Sequence, residues 1–446
     1  MDKKFIMRTT KSICPICLKN IKANIVEKDN NVYFIKECEQ HGTFKLLLST
    51  DSKYYLDLYD YYFSIIKDSY IQKDFILHLT NKCNLNCPIC LANANEYNDE
   101  YSYQKLKILL LNYKYLKIDI MGAEPTMRED LSDIINLIKR TGNVCALHTN
   151  GIKLADYNYC KLLKDSGLDE VHLQYDTFIE NTNLKIRGQK LIEIKEKTIE
   201  NLEKLNISTD IVMTILKDIN EKEINAMFSK FSKKKFIKEI FFLGHRPLGK
   251  THNNDMSTCL MPDEVLNYAI NNSNIGLTRQ NMKVFQKLYF AMLSLCSKRK
   301  CFYIHHYIYF RYNNEVIPIH YILNIDRLDK LLDNYKDIYK KSVILAKIFL
   351  IISLPFSLRF SKYLIKFIVS GLSYLLNFIK IFNLSNLSDK LLLIGFITAC
   401  DLYSYDDKIA KNCGKGVISA IRGINDNGAL DNIIRDRTNN ENISTN

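Results

Sequence analysis

The chain has no tryptophan and little proline or glycine, 7 and 15 in 446 residues. That scarcity excludes a collagen-like or Pro/Gly-rich low-complexity chain. No apolar stretch opens it. Residues 1–13 are polar and basic, without the h-region or the small-residue cleavage site of a secretory signal. No apolar run reaches the about 20 uninterrupted residues of a membrane span. An even cysteine complement is lacking too. Thirteen cysteines exclude a pure disulfide framework. Without a signal sequence they are expected to be reduced in the cytoplasm and available for metal. Acidic residues are in deficit, 49 against 62 Lys and Arg, for a net charge of +13. Such an excess suits an anionic partner such as phospholipid or nucleotide, or simply a solvated lysine-rich surface. No nucleic-acid partner is expected.

Apolar content of 47% and charged content of 25% are ordinary for a globular protein. The length predicts two or three domains. The most informative stretch is Asn81-Lys82-Cys83-Asn84-Leu85-Asn86-Cys87-Pro88-Ile89-Cys90, directly after the apolar run 75–80. Three thiols in C-x3-C-x2-C spacing suit an iron–sulfur cluster, for which a complete set is four. Three would leave one iron open to a small molecule. A zinc site or inert buried thiols are the plainer alternatives.

Residues 1–50 read as a separate module. Cys14-Pro15-Ile16-Cys17 and Cys38-Glu39-Gln40-His41-Gly42 flank a hairpin of strands at 20–26 and 32–35. This is the spacing of a zinc-ribbon or rubredoxin-like site, with Cys14, Cys17, Cys38 and His41 as ligands and either zinc or iron as the metal. Residues 51–72 are tyrosine-rich and predicted helical.

From 73 to 245 apolar strands alternate with amphipathic helices. Strands are predicted at 75–80, 116–121, 144–148, 170–175, 208–214 and 237–243, with helices at 102–112, 129–140, 156–166, 190–205 and 221–231. Such alternation predicts an α/β fold with a parallel sheet and helices outside it. Its functional groups belong at the C-terminal strand ends. Cys83, Cys87 and Cys90 follow the first strand. Gly122, Ala123, Glu124 and Pro125 follow the second, where glycine permits close backbone approach and a carboxylate can hold an ammonium. Thr149 and Asn150 end the third strand, and Gln174 and Asp176 the fourth, as candidate cofactor or substrate contacts.

The cysteine run, together with Met121-Gly122-Ala123-Glu124-Pro125-Thr126, resembles the radical S-adenosylmethionine (SAM) superfamily and its GGEP motif, with Ala123 in place of one glycine. The resemblance implies a partial (β/α)6 TIM-type barrel and a 4Fe-4S cluster on Cys83, Cys87 and Cys90. It implies chelation of the open iron by SAM, whose ammonium would meet Glu124, and a reducing partner such as a ferredoxin or flavodoxin. The activity implied is reductive cleavage of SAM and hydrogen abstraction from an unactivated C–H bond. Cys87 to Asn95, Pro125 to Asp130, His148 to Gly151, Leu173 to Asp176 and the N-terminal module are similar as a set to one branch, the archaeal tetraether lipid synthases and pterin-methyltransferase relatives. From it follows an expected lipid-chain substrate with carbon–carbon coupling. Radical methylation of a pterin-like or other soluble molecule is one alternative, and a non-catalytic iron–sulfur membrane-associated protein is the other.

Beyond 245 the strand–helix rhythm ends, and residues 246–423 are expected to be largely α-helical. Cys296, Cys301, Cys400 and Cys413 are candidate ligands of an auxiliary 4Fe-4S cluster, by resemblance to relatives with cysteines near similar sequence; the family's further cysteine is missing. Cys145, Cys160 and Cys259 read as core. Residues 342–399 are the most apolar region, with Lys347 and Pro355 interrupting 342–358. Along 362–380, Lys362, Lys366, Ser370, Ser373, Asn377 and Lys380 form one polar stripe. That is the pattern of an interfacial helix lying on a membrane surface, or of a helix in a core. The Asn-rich segment 424–446 reads as a disordered tail.

Overall fold

The structure, a computed structural model, describes residues 5–66, 74–96, 100–251, 256–295, 301–368, 389–429 and 431. Cys296, most of the stripe at 362–380 and most of the tail at 424–446 lie outside the described residues.

The N-terminal module is a four-stranded antiparallel sheet of β1 (Phe5–Ile13), β2 (Asn20–Lys28), β3 (Asn31–Cys38) and β4 (Gly42–Ser49), in chain order. The expected hairpin is its centre, β2 with β3. Helix α1 (Ser52–Ser64) follows, its first turn capped by Asp51, whose side chain accepts from Tyr54 N. Tyr54, Tyr55, Leu58, Tyr61 and Tyr62 recur at three- and four-residue spacing and are all buried, which explains the tyrosine-rich stretch as a packing face.

Six strands then alternate with helices: β5 (Asp74–His78), β6 (Lys117–Met121), β7 (Val144–Thr149), β8 (Glu170–Gln174), β9 (Ser208–Ile215) and β10 (Ile237–Gly244). They pair in parallel in chain order, each within two residues of its expected position. Period-two alternation divides their side chains. Ile118, Ile120, Leu147, Val171, Leu173, Ile211, Met213, Ile240 and Phe242 are fully buried in the main hydrophobic core. Lys117, Asp119, His148, Glu170, His172 and Asp210 take the other face and meet inside the barrel. Between β8 and β9 lies a further helix, Glu180–Arg187, that periodicity does not predict, because its eight residues carry too few apolar positions to show a period.

Helices Pro262–Asn272, Arg279–Leu295, Ile325–Lys341 and Val343–Ser353 occupy the region after 245 as expected. The same region also supplies five strands among the described residues, which the expectation of a largely helical region did not include. β13 (Leu391–Thr398) adds in parallel to β10, followed outward by antiparallel β11 (His305–Tyr312) and β12 (Glu315–Pro318). At the other edge β14 (Lys415–Ser419) adds in parallel to β5, with β15 (Gly423–Asn425) beyond it. The apolar run Leu391-Leu-Leu-Ile-Gly-Phe-Ile-Thr398 is therefore a buried strand, where the sequence reading had extended an apolar helical region. A short, wholly apolar run has no period to separate strand from helix. The start of the expected tail, residues 423–425, is β15.

Candidate active site and metal centres

The loop from Leu79 to Glu96 carries the three cysteines and is stitched to the next strand. Leu79 N–H donates to Met121 O at 2.8 Å, Ala123 N–H to Thr80 O at 3.0 Å and Glu124 N–H to Lys82 O at 3.0 Å. A Cβ at position 122 would lie 2.4 Å from Thr80 O, so only glycine permits this approach. Ala123 makes its backbone bond undisturbed, and the departure from the double glycine costs the motif nothing visible. Two asparagines close the loop. Asn81 Nδ2 donates to Asn93 O at 2.9 Å, and Asn95 Oδ1 accepts from Cys83 N–H at 2.9 Å.

Cys83, Cys87 and Cys90 line one pocket at the C-terminal mouth of the barrel, with Gly122, Ala123, Thr149, Asn150, Gln174 and Arg187 on its wall. Leu85 N–H points at Cys83 Sγ (3.3 Å) and Ala94 N–H at Cys90 Sγ (3.5 Å), which favours charged sulfur. Burial against Leu85, Ile152 and Leu191 acts oppositely: it pushes the Cys83 thiol up to about 12 and also raises Cys87. Thiols so placed ionise readily only against a metal, and three of them around one cavity fit a site-differentiated iron–sulfur cluster.

Glu124 stands elsewhere than expected. It is fully buried, and its carboxylate is outside the pocket lining. Oε1 accepts from Thr126 N–H (3.1 Å), Thr126 Oγ1 (2.6 Å) and Thr149 Oγ1 (2.7 Å), and Oε2 accepts from Asn150 N–H (2.7 Å). It also caps the 3-10 turn that Pro125 begins. The geometry makes Glu124 a tie between the second and third strand loops. Glu124→Ala is expected to lower stability by about 1–3 kcal/mol for the donors left unpaired, read as a lower urea midpoint. A loss of SAM affinity with no loss of stability would argue for the ammonium role instead.

Asp176 is also withdrawn from the cavity. It accepts from Arg187 Nε (2.7 Å) and Thr214 N–H (2.9 Å), while the Arg187 guanidinium lies against the Cys87 thiol. Lys195, unnoticed in the sequence, is buried beneath the wall and donates to Gln174 O (2.5 Å) and Gln174 Oε1 (3.0 Å). Gly249 was missed as well. A Cβ there would lie 2.3 Å from Cys90 O, and Lys250 N–H donates to that carbonyl at 2.9 Å, so the segment after β10 clamps the cysteine loop.

In the N-terminal module Cys14, Cys17, Cys38 and His41 converge. Cys14 Sγ lies 3.7 Å from His41 Nδ1, Cys38 Sγ 3.5 Å from it, and Cys17 Sγ 3.8 Å from Cys38 Sγ. A tetrahedral zinc with ordinary Zn–S and Zn–N bonds has edges of about 3.6–3.8 Å. The four ligands fit that ion. The module is docked through Lys36 Nζ, which donates to Ile13 O (3.1 Å) and Leu402 O (2.5 Å). Cys38→Ser or His41→Ala in the full chain is expected to remove one equivalent of zinc and leave iron unchanged, measured by elemental analysis.

Cys301 and Cys400 hydrogen-bond through their thiols, with Cys413 beside them. Cys400 and Cys413 pack on a small apolar cluster of Ile13, Leu402, Tyr405, Ala410 and Ala429. Cys145, Cys160 and Cys259 are buried and line none of these sites.

Residues 6–50 match the family described as HMPTM N-terminal zinc ribbon domain, and residues 77–231 match the radical SAM superfamily. The chain is 36% identical over 256 residues to a 7,8-dihydro-6-hydroxymethylpterin dimethyltransferase of Methanocaldococcus jannaschii, over 51% of this chain and 50% of that protein. It is 31% identical over 173 residues to an Fe-coproporphyrin III synthase of Methanosarcina barkeri, over 37% of this chain and 43% of that one. The chain thus spans about half the length of these curated relatives. Among solved structures, Streptococcus suis SuiB bound to S-adenosylmethionine is similar with a TM-score of 0.39 and 14% identity, over 45% of this chain and 47% of that one.

Proposed function

The chain belongs to the radical SAM superfamily, and on that premise we propose that it modifies a C–H bond of a compact polar heterocycle of the dihydropterin class, as a radical SAM methyltransferase. When bound, the cluster and SAM supply one-electron reduction of the sulfonium and hydrogen abstraction. The chain's own residues hold and shield. Cys83, Cys87 and Cys90 fix the cluster, Gly122 lets the second strand loop close on the first, and Leu85, Ile152 and Leu191 keep water from the thiolates.

The observation that carries the substrate class is the polarity of the pocket's floor. His148, His172, Gln174 and His245 line the cavity, with Asp119 and Asp210 behind the two imidazoles of β7 and β8. A hydrocarbon chain would desolvate these groups without replacing their hydrogen bonds. A ring rich in N–H and C=O groups would satisfy them. The dihydropterin named for the Methanocaldococcus relative has that chemistry.

A lipid chain is the second reading, and one observation favours it. Ile344, Ile351 and Phe360 are 72%, 65% and 89% exposed, forming an apolar strip with Leu345, Ile348, Ile352 and Phe356. Lys362 and Lys366 stand beside it. No helix among the described residues is long and apolar enough to cross a membrane, so such contact would be peripheral. The proposal further includes an auxiliary 4Fe-4S cluster on Cys301, Cys400 and Cys413, with Cys296 as the fourth thiol. It also includes a reduced ferredoxin or flavodoxin as electron donor, for which the net charge of +13 suits an acidic carrier.

The test offers reduced, cluster-replete protein SAM with 7,8-dihydro-6-hydroxymethylpterin, and separately anionic vesicles. Methylated pterin detected by mass spectrometry is the expected result. Unmodified pterin, with sedimentation on vesicles that falls in Ile351→Ser and Phe360→Ser without a change in melting temperature, would transfer the assignment to lipid.

A further inference from the structure

Beneath the thiolate pocket the barrel floor gathers a set of side chains that SAM chemistry does not require. Asp119 on β6, His148 on β7, His172 on β8 and Asp210 on β9 share the inner face of four successive strands. His148 is the direct pairing partner of His172, and His172 of Asp210. We propose that this floor binds one divalent first-row transition metal ion through Asp119, His148 and His172. The site is separate from the N-terminal zinc and from the cluster; an ion held there would meet a polar ring in place of the two imidazoles and leave Gln174 and His245 to contact it directly.

The ligand atoms converge. One atom from each of the three residues lies within 4.8 Å of the other two. His148 Nε2 is 3.7 Å from Asp119 Oδ1, and the two imidazoles stack in parallel at 4.2 Å. With the half-buried His148 ring turned out of that stack, the in-plane lone pairs converge and the set reaches the about 2.0–2.2 Å of metal–nitrogen and metal–oxygen bonds. Two of the atoms make no hydrogen bond, although Lys117 Nζ lies 3.9 Å from Asp119 Oδ1 and Glu170 Oε2 lies 3.8 Å from His172 Nε2. Asp119 Oδ1 and His172 Nε2 are buried and have no hydrogen-bond partner among the described residues, on side chains of residues only 3% and 8% exposed.

The neighbours account for the opposite atoms. Lys415 pairs with Asp119 Oδ2, leaving Oδ1 to face inward. Asp210 Oδ2 lies 3.2 Å from His172 Nδ1, and with the ring proton on that nitrogen the lone pair of Nε2 is available to an ion. A carboxylate behind a histidine in this way is the usual support of a metal-binding imidazole. Glu170 is engaged by Lys117, and Glu239 lies 2.9 Å from His306 Nε2.

Charge agrees. Four carboxylates, Asp119, Glu170, Asp210 and Glu239, stand against two ammonium groups, Lys117 and Lys415, and burial with this crowding holds Asp210 well above the usual carboxylate range. A cation among them relieves that crowding. Two imidazoles with one carboxylate suit iron(II), manganese, cobalt or zinc, whereas magnesium and calcium prefer oxygen alone. His148 is only half-buried and lines the pocket together with His172, which gives an ion a way in and lets it face whatever fills the cavity.

Manganese is the suitable probe, since it avoids thiolate sites. The full-length protein, with its resident iron and zinc quantified, is titrated anaerobically with Mn2+ and followed by electron paramagnetic resonance. The expected result is one tightly held equivalent, at least tenfold weaker in Asp119→Asn, His148→Gln and His172→Gln with iron and zinc unchanged. Manganese bound there also speeds relaxation of the reduced cluster's signal, a readout that needs no variant. A wild-type protein that binds no manganese, manganese that leaves the cluster signal unaffected, or binding retained in all three variants would overturn the site.

Discussion

Cys83→Ala, Cys87→Ala and Cys90→Ala are each expected to bring 5′-deoxyadenosine production from SAM to background and to strip iron from the barrel. The three thiols line one cavity with an apolar wall, where backbone N–H groups from Leu85 and Ala94 point at sulfur. Among the described residues no other cysteine lines that cavity to substitute for a lost ligand. With two thiolates a four-iron cluster has too few ligands to hold its place. Cys145→Ser and Cys160→Ala are the controls. Both residues are buried cysteines of the same barrel, yet neither lines the pocket, so iron and SAM cleavage should persist. Iron is measured by elemental analysis and 5′-deoxyadenosine by chromatography. Turnover in any one of the three active-site variants would show that the thiols do not act together.

Arg187→Met should destabilise the protein by about 3–5 kcal/mol, the cost of leaving one partner of a buried ion pair behind. The Asp176 side chain is completely buried, and Arg187 Nε is its cation at 2.7 Å. Arg187 also donates to Thr214 Oγ1 at 3.1 Å and lies against the Cys87 thiol. Its loss strands a carboxylate beside the cluster site and removes the positive charge nearest Cys87. The urea midpoint should fall accordingly. The double variant Arg187→Met, Asp176→Leu should regain most of the loss, because no charge is then left unpaired. A single variant as stable as wild type would mean that water reaches Asp176.

What could be read in advance followed from periodicity and from ligand spacing. The six central strands announced themselves because each is an apolar run separated from the next by an amphipathic helix. The cysteine loops announced themselves because thiols rarely cluster without cause. The β13 strand was hidden by its own hydrophobicity, since a fully apolar run has no face to reveal. Glu124 was legible as a carboxylate of the site, but its bracing of two loops was not. Its four hydrogen bonds come from Thr126, Thr149 and Asn150, and two of those three partners lie at the end of another strand. The barrel floor was illegible for a similar reason. Asp119, His148, His172 and Asp210 come one per strand, and nothing in the order of the chain says that they meet. Arg187 and Lys195 sit on helical stretches where a basic residue ordinarily faces water.

The measurement that bears most directly on the account is product analysis of the wild-type protein, purified without oxygen, reduced and given SAM alone. Formation of 5′-deoxyadenosine and methionine in equal amounts, dependent on reductant and on a full complement of iron at Cys83, Cys87 and Cys90, is the result predicted. Iron-replete, reduced protein that binds SAM and leaves it intact would contradict it.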